Sequence, residues 1–158
     1  MSAEGKPEET PLDGHGITVA IVHGTWHPRI AEGLLAGARR TLAEAGATVL
    51  EYAVPGSFEL PVVAQAALES GADAAVALGV IIRGGTPHFE YVSSAATQGL
   101  TEVALRTGRP VGFGVLTLDD EQQGLDRAGL PGSKEDKGAE AAAAALRTAT
   151  VLRQVRAR

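Results

Sequence analysis

Apolar and polar residues change period several times along this chain, and the changes predict strands alternating with helices. Apolar, strand-like runs over 17–22, 47–54, 74–82 and 110–118 read as strands. Ile30, Leu34, Ala38, Leu42 and Ala45 recur at helical spacing behind Pro28, and Gly46 ends that helix. An alanine-rich second helix is expected over 59–70, with Pro61 in its first turn. Phe89, Val92, Ala96, Leu100 and Val103 mark the apolar face of a third, closed by Gly108. A short helix is expected over about 119–128, capped by Asp119 or Asp120. A last one runs from about 134 to 156, with Leu146, Ala149, Leu152 and Val155 inward.

This order calls for one parallel sheet of four strands, covered by helices on both faces. Residues 1–14 are polar and aperiodic and read as a flexible tail before a single domain at 15–158. Neither an internal repeat nor a linker divides the chain, and 158 residues suit one domain. In such sheets ligands sit beyond the carboxyl ends of the strands. That rule sorts the candidate residues.

The third strand runs into Arg83-Gly84-Gly85-Thr86-Pro87-His88. Thr86 suits a helix N-cap and Pro87 the first helical position, which puts His88 in the first turn beside unpaired N–H groups. Arg83, two glycines and a threonine at a strand-to-helix turn suit a phosphate cradle. An imidazole beside a bound anion can move protons near pH 7. The turn points to an enzyme acting on a small phosphorylated substrate; the plainer alternative is a capping histidine on an ordinary turn. The first strand ends at His23-Gly24-Thr25-Trp26, the second at Pro55-Gly56-Ser57-Phe58-Glu59, and the fourth delivers Phe113-Gly114. Of only six aromatic residues, Trp26, Phe58, Phe89 and Phe113 are expected at or near this rim. Rings, a hydroxyl, a carboxylate and a phosphate turn together suit a planar polar heterocycle carrying a polyol. Core packing is the alternative for the aromatics, and it fits Phe89 better than Trp26.

Composition narrows the field. A net charge of −5 argues against general nucleic-acid binding, and Arg147, Arg153, Arg156 and Arg158 read as a solvated helix end. With no cysteine, disulfides, thiolate catalysis and cysteine-ligated metals are excluded. The chain shows no basic-then-apolar leader and no apolar run of membrane-spanning length, so a cytoplasmic protein without a membrane partner is expected. The glycines of 79–85 do not form G-x-G-x-x-G, no Walker sequence occurs, and Ser57 lacks a G-x-S-x-G elbow. The first strand is not followed by the acidic pair of a receiver domain. His23 and His27 are four apart, but Pro28 starts the helix only after them, and no metal is expected.

With these residues assembled, the chain resembles the lumazine synthase family from about Ile17 to Arg156. The most specific block is GVIIRGGTPHFEYV at 79–92, supported by PGSFELP at 55–61, TQGL at 97–100, GVLT at 114–117, DRAG at 126–129 and DKGAEAA at 136–142. The resemblance implies a three-layer, flavodoxin-like αβα sandwich. It also implies condensation of 5-amino-6-(D-ribitylamino)uracil with 3,4-dihydroxy-2-butanone 4-phosphate, giving 6,7-dimethyl-8-ribityllumazine and phosphate, the penultimate step of riboflavin biosynthesis. Trp26 matches the aromatic that stacks on the pyrimidine. Ser57, Phe58 and Glu59 match the segment meeting the ribityl chain and ring, and Val80, Ile81 and Ile82 match backbone contacts to the ring. Gly85, Thr86 and Arg127 match the phosphate site, Lys137 the lysine near it, and His88 the proton donor and acceptor. Phe113 matches an aromatic supplied by a neighbouring subunit. The reaction as implied needs no cofactor.

Two departures stand out. The loop HGTWHP replaces the family's more frequent R-F-N, and AGLPGSKEDKG at 128–138 is longer than the form found in capsid-forming members. The longer loop favours a pentamer, or two stacked pentamers with shared active sites, over a sixty-subunit shell; riboflavin synthase is a further partner the family admits. The competing reading is a non-catalytic lumazine- or flavin-binding, or shell-forming, relative. Another enzyme of phosphorylated sugars on the same fold is a third.

Overall fold

Along β1 (Thr18–Gly24) and β3 (Ala74–Ile82), successive side chains enter two separate cores, one on each face of a sheet. The computed structural model describes residues 4–158 and contains one all-parallel sheet in the order β2-β1-β3-β4. Its edges are β2 (Thr48–Val54) and β4 (Val111–Leu118). Val19, Ile21, Val76 and Leu78 pack in one core with α1 (Pro28–Ala45) and α5 (Lys137–Arg156). Ala20, Val22, Ala75 and Ala77 pack in the other with α2 (Leu60–Glu69) and α3 (His88–Thr107). The short α4 (Glu121–Leu125) lies on the α1 side, with Gly124 against Ile30. This is the expected three-layer, flavodoxin-like arrangement. Each fully buried side chain such as Ile21, Ile30 or Leu34 contributes about 1.5–3 kcal/mol to it.

Helix ends follow local chemistry. Gly46, at φ 80°, closes α1 as Ala47 N–H reaches the Leu42 carbonyl at 3.0 Å and Gly46 N–H reaches that of Ala43 at 3.1 Å. α4 is shorter than expected, and Asp120 is its cap, accepting from Gln123 N–H at 2.9 Å. α5 starts at Lys137 and not near 134, because Asp136 is held in a non-helical conformation (φ −127°, ψ 84°) by its bridge to Ala128, while the Lys134 and Glu135 N–H groups fold back onto the Asp126 carbonyl. Asp136 then caps the helix through Ala139 N–H at 3.1 Å.

Helices α1 and α5 approach so closely that Gly138 admits no side chain: a Cβ there would lie 2.0 Å from the Leu34 carbonyl oxygen. Gly138→Ala is expected to destabilise the fold by about 1–3 kcal/mol, since the obstacle is helix backbone. A thermal melt indistinguishable from that of the parent protein would contradict this.

Residues 1–3 of the expected tail lie outside the described residues. Within 4–14, Arg147 donates to the Thr10 hydroxyl at 2.5 Å and its carbonyl at 2.8 Å. Lys6 pairs with Glu140 at 3.3 Å, and Leu12 packs against the α1–α5 core.

Candidate active site

Strand order switches direction between β1 and β3, and the carboxyl ends of these neighbours open a cleft of about 640 Å³, within the usual size for a small-molecule site. It lies toward α2 and α3. Trp26, the turn 56–59, Val80, Ile81, Ile82, Thr86 and His88 all line it.

Trp26 stands 67% exposed on the β1–α1 loop. That loop is tied to the end of β2, where the Pro55 carbonyl accepts from Thr25 N–H at 3.3 Å and from its hydroxyl at 2.9 Å. A short 3-10 turn, Ser57–Glu59, leads into α2. Ser57 is buried against β3, and only glycine at 79 permits this: a Cβ there would lie 2.4 Å from the Ser57 hydroxyl oxygen. The Glu59 carboxylate accepts from Gly56 N–H at 3.0 Å, which folds the turn back on itself. Phe58 is 64% exposed beside it.

At the start of α3, the first residue assigned as helix is His88, one later than expected. Its N–H nonetheless donates to the Thr86 hydroxyl at 3.4 Å, the bond expected of a threonine N-cap. Gly84 and Gly85 face open space, so the turn has room for an anion. Arg83 does not join it as the sequence suggested. Its guanidinium bonds Glu90 at 2.5 Å and Asp119 at 3.2 Å and lies 4.3 Å over the Phe89 ring. The hydrogen bond between Arg83 and Glu90 holds the Glu90 carboxyl below its usual range, and the two carboxylates, Glu90 first and then Asp119, raise the Arg83 guanidinium. Phe89 both packs against the α2–α3 core and lines the cleft.

Four expected site residues do not line this cleft: Gly85, which sits in the turn between the lining residues Gly84 and Thr86, and, farther away, Arg127, Lys137 and Phe113. Arg127 follows α4 on the opposite face of the sheet, beside Ala128, which packs with α1. Its Nη1 donates to the Gln123 carbonyl at 2.8 Å, and its Nε lies 3.7 Å from Glu135. Lys137 pairs with Glu140 at 2.8 Å and sits 3.7 Å from Glu135. Burial pushes the Glu140 carboxyl up, but Lys137 and Lys6 outweigh it and leave that group below its ordinary value. Phe113 pairs with Ala77 near the start of β4 and is 47% exposed, so the expectation that the fourth strand delivers it to the rim does not hold.

Sequence reading missed three side chains of the cleft, His27, Tyr91 and Val92, the last of which it gave only to the core face of the third helix. Tyr91 lies three residues after His88 on α3, a helical spacing that could have flagged it. Among the described residues, no group of three or more metal-ligating side chains converges.

A family model described as 6,7-dimethyl-8-ribityllumazine synthase matches residues 16–153. Relatives carrying that name include one from Leifsonia xyli subsp. xyli, 71% identical over 157 residues and 99% of each chain. Another, from Clavibacter michiganensis subsp. michiganensis, is 68% identical over 158 residues and 99% of each chain. A third, from Kineococcus radiotolerans, is 61% identical over 156 residues, 98% of this chain and 96% of its own.

Proposed function

The chain belongs to the 6,7-dimethyl-8-ribityllumazine synthase family, and from that premise we infer how its cleft condenses 5-amino-6-(D-ribitylamino)uracil with 3,4-dihydroxy-2-butanone 4-phosphate. The observation that carries the reading is the gathering of Trp26, the 57–59 turn, Val80–Ile82 and His88 around one cavity. The pyrimidine stacks on Trp26 and meets the β3 backbone. The ribityl chain runs along Ser57, Phe58 and Glu59, whose carboxylate has acceptor capacity beyond its bond to Gly56. The open turn at Gly85 and Thr86 takes the phosphate.

The uracil amine adds to the ketone, and loss of water gives an imine. Phosphate is then eliminated, and ring closure with loss of a second water gives the lumazine. Each stage moves protons, and His88 is the shuttle at the mouth of the phosphate turn. Because amine and ketone already react readily, positioning is the protein's larger contribution.

Arg127, Lys137 and Phe113 match phosphate and ring contacts yet lie outside the chain's own cleft. This supports a site completed by a second copy, within a pentamer or two stacked pentamers; the segment 128–138 is longer than capsid-forming members use. The unit that folds and acts is the single domain 15–158, working in the cytoplasm. No helix among the described residues is long and apolar enough to cross a membrane.

Mixing purified protein with both substrates tests the reading. Fluorescent lumazine and inorganic phosphate are expected in equal amounts, and binding of the lumazine without turnover would favour the non-catalytic alternative.

A further inference from the structure

One residue in the cleft has a backbone conformation unlike its surroundings. His27 lies at φ 56° and ψ 68°, and among the described residues it is the only non-glycine with positive φ. Left-handed backbone is unfavourable for an L-residue with a side chain. Pro28 makes the position more unusual, because a residue before proline is pushed toward extended conformations. The surroundings nevertheless hold it. The His27 carbonyl accepts the first bond of α1, from Ala31 N–H at 2.9 Å, while Pro28 fixes the first helical position. On the other side, Thr25 is tied twice to Pro55. Between these anchors the chain has only Trp26 and His27 in which to reverse from loop to helix. The left-handed residue makes that turn.

The turn acts directly on Trp26. Its indole, 67% exposed, rests on Gly56, where a Cβ would lie 3.2 Å from Cδ1 and 3.3 Å from Nε1. The half-buried imidazole of His27 flanks it, with ring centroids 6.4 Å apart and planes at 47°, and lines the same cleft. Strained backbone persists where the surroundings impose it, and such residues cluster at functional sites. We propose that His27 is a positioning residue: its left-handed turn aims the Trp26 indole over the cleft, and its imidazole limits the indole's rotation. This rests on the reading of Trp26 as the ring platform for the uracil substrate.

The chain has a single tryptophan, so intrinsic fluorescence reports Trp26 alone. Glycine and asparagine both adopt the left-handed turn readily, so both variants fold. His27→Gly removes the side chain and frees the backbone, whereas His27→Asn keeps a restrained turn and a polar group. In His27→Gly, fluorescence anisotropy of the ligand-free protein is expected to fall. The KM for the uracil substrate should rise about three- to tenfold, with kcat and the KM for the ketone phosphate within about twofold. His27→Asn should restore most of both losses. Unchanged anisotropy in His27→Gly, or an equal rise in both KM values, would overturn the proposal. If the parent protein makes no lumazine, the function reading fails, and the anisotropy comparison, which needs no substrate, still decides this one.

Discussion

Replacing His88 by alanine should lower turnover roughly ten- to a thousandfold while leaving affinity for the lumazine product nearly unchanged. The imidazole stands in the first turn of α3, beside Thr86 and the open glycine turn, where the leaving phosphate would sit. It is exposed and has no part in either core, so its loss leaves packing intact. Substantial residual activity is expected because amine and ketone already react readily once the site positions them. Single-turnover measurements at saturating substrate read the chemical steps. A variant with normal turnover would remove His88 from the mechanism.

Arg127→Ala should raise the KM for the ketone phosphate by about tenfold or more and leave the KM for the uracil substrate within about twofold. Among the described residues, the Arg127 guanidinium meets the Gln123 carbonyl at 2.8 Å and Glu135 at 3.7 Å. A long pair to a partly exposed guanidinium contributes little, so the charge stays available to a phosphate dianion. Initial rates with each substrate varied in turn separate the two constants. Equal effects on both would instead make Arg127 a structural prop for the turn before α5.

Much of this was legible in the residues. Apolar runs located the strands to within a residue or two; β1 and β3, covered on both faces, carry little polar signal, whereas the edge strand β2 holds Glu51 and is largely exposed. Proline before a helix and glycine after it marked α1 and α3 for local reasons that tertiary structure did not override. The start of α5 lies later than periodicity suggests because Asp136 bridges Ala128 across the loop and leaves the helical conformation there, a contact that no periodicity records. The positions of Arg127 and Phe113 were hidden for a related reason. Sequence identifies the block but not which face of the sheet its loop crosses, nor how far along β4 a ring sits from the rim. His27 escaped because a left-handed turn is expected at glycine or asparagine; the cue was a lone residue between the loop's tryptophan and a helix-starting proline.

A cleft that one chain half builds and a second copy completes makes a distinctive demand on mixed assemblies. That demand is tested most directly by mixing. His88→Ala and Arg127→Ala chains are unfolded together and reassembled, and the rate is read at a ketone phosphate concentration well below the KM of the Arg127 variant. If His88 acts in one copy and Arg127 reaches it from the next, random mixing in a closed ring restores intact sites. The rate should then reach about a quarter of that of the unaltered protein, well above either parent. A mixture no faster than the sum of its two parents would contradict the shared site.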